Sequence, residues 1–215
     1  MVPEGSTPSR RSADHAVVLS RGAVVHPAWI RITHWLNALA VLVLITSGWR
    51  IYNASPIFEF RFPKSIVLGG WLGGALLWHF AAMWLLVVNA TTYFVWNLLS
   101  GRWARRFLPL TPRQVLRDLG AALRGRLEHG DLAQYNAVQK AAYLAAWALV
   151  VLVVVSGLAV WKPVQLPLLR ELMGGFDNAR VVHFVAMSGL AAFVAIHVVM
   201  VVVVPKTLRL MIFGR

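Results

Sequence analysis

Apolar residues fill four long stretches of the chain, at residues 28–49, 66–99, 141–161 and 181–204, and polar or charged residues gather between them. Each stretch reaches the length of about 20 residues that a helix needs to cross a bilayer. The second is longer than a crossing requires. None contains Asp or Glu. The pattern predicts an all-α integral membrane protein built as a four-transmembrane-helix bundle. Residues 1–25, rich in Ser, Pro and Arg, read as a mobile tail, and the membrane domain occupies 26–215. The loop at 101–140 holds one further element. Thr111-Pro112-Arg113-Gln114 supplies an N-cap, a proline at the first helical position and a capping-box glutamine. Val115, Leu116, Leu119, Leu123 and Leu127 follow at helical spacing, with arginines on the other face. An amphipathic helix on the cytoplasmic membrane surface is expected there, between helices two and three.

Composition strengthens the membrane reading. The chain is 59% hydrophobic and only 13% charged, whereas soluble domains are about 25% charged. The absence of cysteine excludes disulfides, thiolate-bound zinc or iron–sulfur clusters, and haem held covalently through C-x-x-C-H. The net charge of +13 is a topology signal before it is a nucleic-acid signal, and no nucleic-acid partner is expected. Of the 21 Lys and Arg residues, 15 lie before or within the start of the first span, in the 101–140 connection, or after the fourth span. The other six are Arg50, Arg61, Lys64, Lys162, Arg170 and Arg180. The positive-inside rule then places both termini and the 101–140 loop in the cytoplasm. Ser9-Arg10-Arg11 does not make an export signal, because Arg21 interrupts any apolar run behind it.

The chemistry lies in histidine. Four of the seven histidines fall in spans: His34, His79, His183 and His197. His183 and His197 are 14 residues apart, just under four helical turns, so they share a face about 21 Å apart along the axis. One small ligand cannot touch both. His79 lies 23 residues before Arg102, and His183 lies 23 residues before Lys206; spans two and four run the same way, so these two sit at one depth near the outer face. His34, three residues after Arg31, and His197, nine before Lys206, both sit in the inner half. The expected pairs are therefore His34 with His197 and His79 with His183. Zinc takes three or four clustered ligands, and a membrane proton relay takes carboxylates; these spans offer neither. Paired imidazoles at two levels of a bundle match two haems b. Gly69, Gly70, Gly73 and Gly74 ahead of His79, and Gly189 between the span-four histidines, suit either a flat macrocycle against a helix or close helix packing. Arg31-x-x-His34 and Arg180-x-x-His183 repeat one spacing, which places each arginine one turn nearer the surface to pair with haem propionates or to anchor a helix end. Ser47-Gly48 and Ser156-Gly157 form a second echo near the outer ends of two spans. Asn37, Gln139 and Tyr143 read as interfacial or interhelical hydrogen bonders rather than as a quinone pocket.

The stretches "HPAWIRITHWLNALAVLVLITSG", "QYNAVQKAAYLAAW" and "VVSGLAVWKP", with the His183–His197 pair, resemble the bacterial diheme cytochrome b561 family. That family includes the membrane cytochrome b subunits of nickel–iron hydrogenase, formate dehydrogenase and thiosulfate reductase. The resemblance covers nearly everything after residue 25. It implies haem ligation by His34, His79, His183 and His197, and electron transfer between membrane quinone and a separate redox protein, expected to be a periplasmic oxidoreductase or cytochrome. The chain would then be the electron-transfer subunit of an oxidoreductase. The alternative within the family is a stand-alone superoxide:quinone oxidoreductase, which would use a basic outer surface to gather an anion. A haem-free anchor or transporter would be colourless.

Overall fold

The computed structural model of the protein describes residues 27–100, 111–123 and 137–214. The predicted tail, Leu127, Arg102 and much of the 101–140 loop lie outside the described residues. The described chain is helical and contains no β-strand. Its elements are α1 (Ala28–Ala54), a 3-10 turn (Lys64–Ile66), α2 (Leu72–Leu99), α3 (Pro112–Leu123), α4 (Ala137–Trp161), α5 (Pro167–Leu172), α6 (Phe176–Val203) and α7 (Lys206–Phe213). Four of these, α1, α2, α4 and α6, are long and apolar enough to cross a membrane. Their outward faces are apolar too: Leu77 is 74% exposed and Val202 73%. That is the inverse of a soluble surface and suits lipid contact.

The second span is shorter than its apolar run. Gly69 and Gly70 take positive φ, 104° and 66°, which residues with a Cβ rarely adopt. The backbone therefore turns before α2 begins at Leu72. The same turn explains the neighbouring glycines. A Cβ on Gly74 would sit 2.3 Å from the Gly69 carbonyl oxygen, and one on Gly73 would meet the Trp71 ring at 2.4 Å. These glycines serve a tight bend against protein atoms. Gly189 is likewise packed, since its Cβ would meet the Leu149 side chain of α4 at 3.2 Å.

Two antiparallel hairpins make the bundle. α1 packs along α2, and α4 along α6. Small residues let the helices approach, among them Ala40, Ala75, Ala82, Ala159, Ala179 and Ala186, all buried. Polar side chains tie the first hairpin. Asn89 on α2 donates from Nδ2 to the Thr33 carbonyl and to Asn37 Oδ1 on α1, both at 2.8 Å. Asn37 is thus an interhelical hydrogen bonder.

The end where α1 starts and α6 finishes, here the termini end, is closed by α7. Arg31 donates from Nη1 to the Ile212 carbonyl, and Trp35 from Nε1 to the Met211 carbonyl at 3.3 Å. Trp29 packs on Tyr93 and Trp96, and Tyr93 stacks on Trp147 of the other hairpin at 6.0 Å. Aromatic rings at such a level match a membrane interface. α3 begins with the reciprocal capping box: the Thr111 amide donates to Gln114 Oε1 at 3.2 Å and the Gln114 amide to Thr111 Oγ1 at 3.4 Å. Leu116 and Leu119 are exposed. Asp118 accepts from the Ala137 amide at 2.9 Å, placing a carboxylate at the positive N-terminus of α4.

At the opposite, far end, residues 55–71 fold over α1. Asn53 grips the Phe62 backbone from both sides, donating to its carbonyl and accepting from its amide, each at 2.9 Å. The Tyr52 hydroxyl does the same with Phe58 at 3.2 Å. Tyr52, Phe58, Phe60, Phe62 and Phe184 cluster face to face and edge to face.

Candidate haem sites

Each spanning histidine comes from the helix that its stretch predicts: His34 from α1, His79 from α2, and His183 and His197 from α6. α6 runs unbroken through both of its histidines, which puts them on one face. The structure brings His34 to His197, with ring centres 6.1 Å apart, and His79 to His183, 6.4 Å apart. Both pairs bridge the two hairpins. Among the described residues no three His, Asp or Glu side chains gather closely enough to hold a metal ion. The imidazoles stand as pairs.

The spacing of those pairs tests what they can hold. A metal–imidazole bond is about 2.0–2.1 Å, and the nitrogen lies about 1.1 Å from the ring centre, so two imidazoles on opposite sides of one metal have centres about 6.3 Å apart. Both observed separations match this value. Direct ring stacking would bring the centres closer. The residues present therefore fit a haem, which His34 with His197 and His79 with His183 would hold between the hairpins.

The far-end pair has a second layer of contacts. Ser47 Oγ lies 3.1 Å from His79 Nδ1, and Ser156 Oγ lies 3.1 Å from His183 Nδ1. Both serines are completely buried. Beside each serine, a glycine faces the same ring: a Cβ on Gly48 would be 3.6 Å from His79 Cε1, and one on Gly157 3.1 Å from His183 Cε1. Sequence reading notes the Ser-Gly echo but attaches no role to it. Its role needs the helices packed, because serine and histidine are 32 residues apart in one hairpin and 27 in the other. The termini-end pair is framed differently. Phe193 stacks on His197 at 6.1 Å and 12°, and Trp35 sits edge-on to His34 at 5.5 Å.

Arg31 and Arg180 each lie one turn from a paired histidine. Arg31 is buried at Nε, which has no hydrogen-bond partner among the described residues, while its Nη1 holds Ile212. A buried guanidinium N–H without an acceptor is costly and suits an anion. Arg180 is more occupied. Its Nη2 donates to the Ser55 carbonyl at 2.6 Å and to Ser55 Oγ at 3.2 Å, and its Nη1 lies 3.8 Å from Asp177. Gln139 and Tyr143 lie on α4, in the other hairpin from the Asn37–Asn89 clasp.

Comparison with known proteins gives the family. A family model described as prokaryotic cytochrome b561 matches residues 25–214. The chain belongs to the prokaryotic cytochrome b561 family. It is a multi-pass membrane b-type cytochrome that transfers electrons. Over 191 residues it is 58% identical to a protein of Azospira oryzae named "Putative protein-methionine-sulfoxide reductase subunit YedZ1", covering 89% of this chain and 96% of that one. Over 97 residues it is 28% identical to a protein of Bradyrhizobium diazoefficiens named "Probable Ni/Fe-hydrogenase B-type cytochrome subunit", covering 44% of this chain and 38% of that one. Haem b supplies such a cytochrome with a one-electron couple. The paired imidazoles of this chain are the residues that would hold that group, in apolar surroundings.

Proposed function

We propose that this cytochrome holds two haems b, one between His34 and His197 and one between His79 and His183, and carries electrons between membrane quinone and a separate redox enzyme. The observation that carries the proposal is the pair of imidazole couples at metal-bridging separation, about 21 Å apart along α6. That spacing supports a reading with one cofactor towards each face of the bilayer. Two axial histidines leave a haem iron no open position, which suits electron transfer rather than substrate binding at iron. Arg31 is assigned to a propionate of the termini-end haem on the strength of its buried, unpartnered Nε. Arg180 is assigned to the far-end haem through its spacing from His183, with Ser55 as its present partner.

The redox partner is read from the 58% identical relative. Its printed name makes that protein a subunit of a protein-methionine-sulfoxide reductase, and the same partner class is proposed here. Quinol loses two electrons and two protons to become quinone. The electrons pass singly through the haems to the reductase. There, with two protons, they remove the sulfoxide oxygen as water and leave methionine. The partner is assigned to the far, periplasmic face of a bacterial inner membrane, because basic residues concentrate at the termini end. On this reading α3 lies along the cytoplasmic leaflet with Leu116 and Leu119 towards lipid. Reporter fusions after Arg126 and at Arg215 are expected to behave as cytoplasmic; periplasmic activity at either point reverses the orientation.

The function is tested in proteoliposomes. Quinol is expected to reduce the haems. Adding a methionine sulfoxide reductase together with an oxidised protein substrate is then expected to reoxidise them, from one side only. Haem reduction by superoxide and onward reduction of quinone, with no response to the reductase, would transfer the assignment to a stand-alone superoxide:quinone oxidoreductase.

A further inference from the structure

We propose that Ser47 and Ser156 are positioning residues that fix both far-end histidines with the proton on Nδ1, and thereby set the reduction potential of the haem held between them. The inference rests on the two-haem reading above.

A serine hydroxyl has one proton to give. Ser47 Oγ lies 2.5 Å from the Val43 carbonyl oxygen, and Ser156 Oγ lies 2.5 Å from the Leu152 carbonyl oxygen, in each case four residues back along its own helix. Those short contacts commit both hydroxyl protons to backbone acceptors. Each Oγ therefore meets its histidine with lone pairs only, and the 3.1 Å contact must be Nδ1–H donating to Oγ. Nε2 of each ring is left unprotonated, as a metal ligand requires. A hydroxyl that has given its proton away is a better acceptor. It pulls on the Nδ1–H bond and makes the imidazole a stronger donor, which favours the oxidised iron and lowers the potential.

The device occurs once in each hairpin. α1 presents Ser47-Gly48 to His79 on α2, and α4 presents Ser156-Gly157 to His183 on α6. The two axial ligands of the far-end site thus receive one treatment, whereas the termini-end rings are framed by Phe193 and Trp35. A control is built into α1. Thr46 Oγ1 donates to the Leu42 carbonyl at 2.8 Å, the same back-bond one residue away, on a half-buried side chain.

The experiment is a potentiometric titration of purified protein carrying its haems, followed optically as two one-electron components. The far-end component is the one missing from His183→Ala. Ser47→Ala and Ser156→Ala are each expected to raise that component's potential by a few-fold in the reduction equilibrium. The double variant is expected to raise it about tenfold, about 59 mV for a one-electron couple. The other haem stays where it was, and Thr46→Ala moves neither. The low-spin ferric electron paramagnetic resonance signal of the far-end haem is expected to shift with its potential. Two retained haems with no shift would overturn the proposal, as would equal shifts of both haems or an equal shift from Thr46→Ala. If the double variant sheds a haem, the single variants decide by the same criterion. A native protein that binds fewer than two haems refutes the two-haem reading instead, before any serine is changed.

Discussion

Replacing His183 by alanine is expected to leave a folded protein with one haem per chain where the native protein holds two. The motive is geometric. His183 meets His79 alone among the spanning histidines, at 6.4 Å, and His197 meets His34, at 6.1 Å. On the two-haem reading, losing one imidazole would remove one of the two ligands of one haem and leave the other site intact. His79→Ala should therefore reproduce the spectrum of His183→Ala, and His34→Ala that of His197→Ala. Combining His79→Ala with His197→Ala should abolish haem binding. Extracted haem per chain measures each case, and acid–acetone should remove all of it, because no cysteine is present to hold it. Equal loss from both sites in every single variant, with the fold intact by circular dichroism, would show that the histidines do not act as these pairs.

The two ring-facing glycines are expected to differ sharply. A Cβ at position 157 would press on the His183 ring at 3.1 Å, and this ring is held from behind by Ser156. Inserting a methyl into such a packed site costs about 1–3 kcal/mol. Gly157→Ala should therefore release the far-end haem to an excess of haem-scavenging apoprotein much faster than the native chain does. At position 48 the nearest ring atom is 3.6 Å away, an ordinary contact, so Gly48→Ala should retain haem almost as the native chain does. Equal rates for the two variants would mean that the rings move freely, and the contact distances would then not govern haem retention.

Much of the architecture is legible in the sequence, because a bilayer imposes one dimension on it. Apolar length sets the spans, and distance from flanking basic residues sets depth. Depth alone is enough to match His34 with His197 and His79 with His183. The departures occur where local backbone geometry overrides hydropathy. Residues 66–71 are apolar enough to extend the second span, yet Gly69 and Gly70 turn the chain there. α5 and α7 are short and carry no bilayer-length signal. The glycines before His79 offer a macrocycle or helix packing in sequence, whereas Gly69, Gly73 and Gly74 make their close contacts within their own turn. The Ser-Gly dipeptides are visible as an echo, but their purpose depends on a neighbouring helix some thirty residues later in the chain. Periodicity along one helix cannot report that. Arg31 and Arg180 look alike in sequence and differ in space: one has a buried nitrogen without an acceptor, and the other is engaged by Ser55.

Both histidine pairs draw one member from α6, the last of the four spans to leave the ribosome. A nascent chain with three spans inserted exposes His34 and His79 without either partner, however well its first hairpin has formed. On the two-haem reading, neither site would have both of its imidazoles until α6 has joined the bundle, so haem capture by either pair would follow the insertion of that helix.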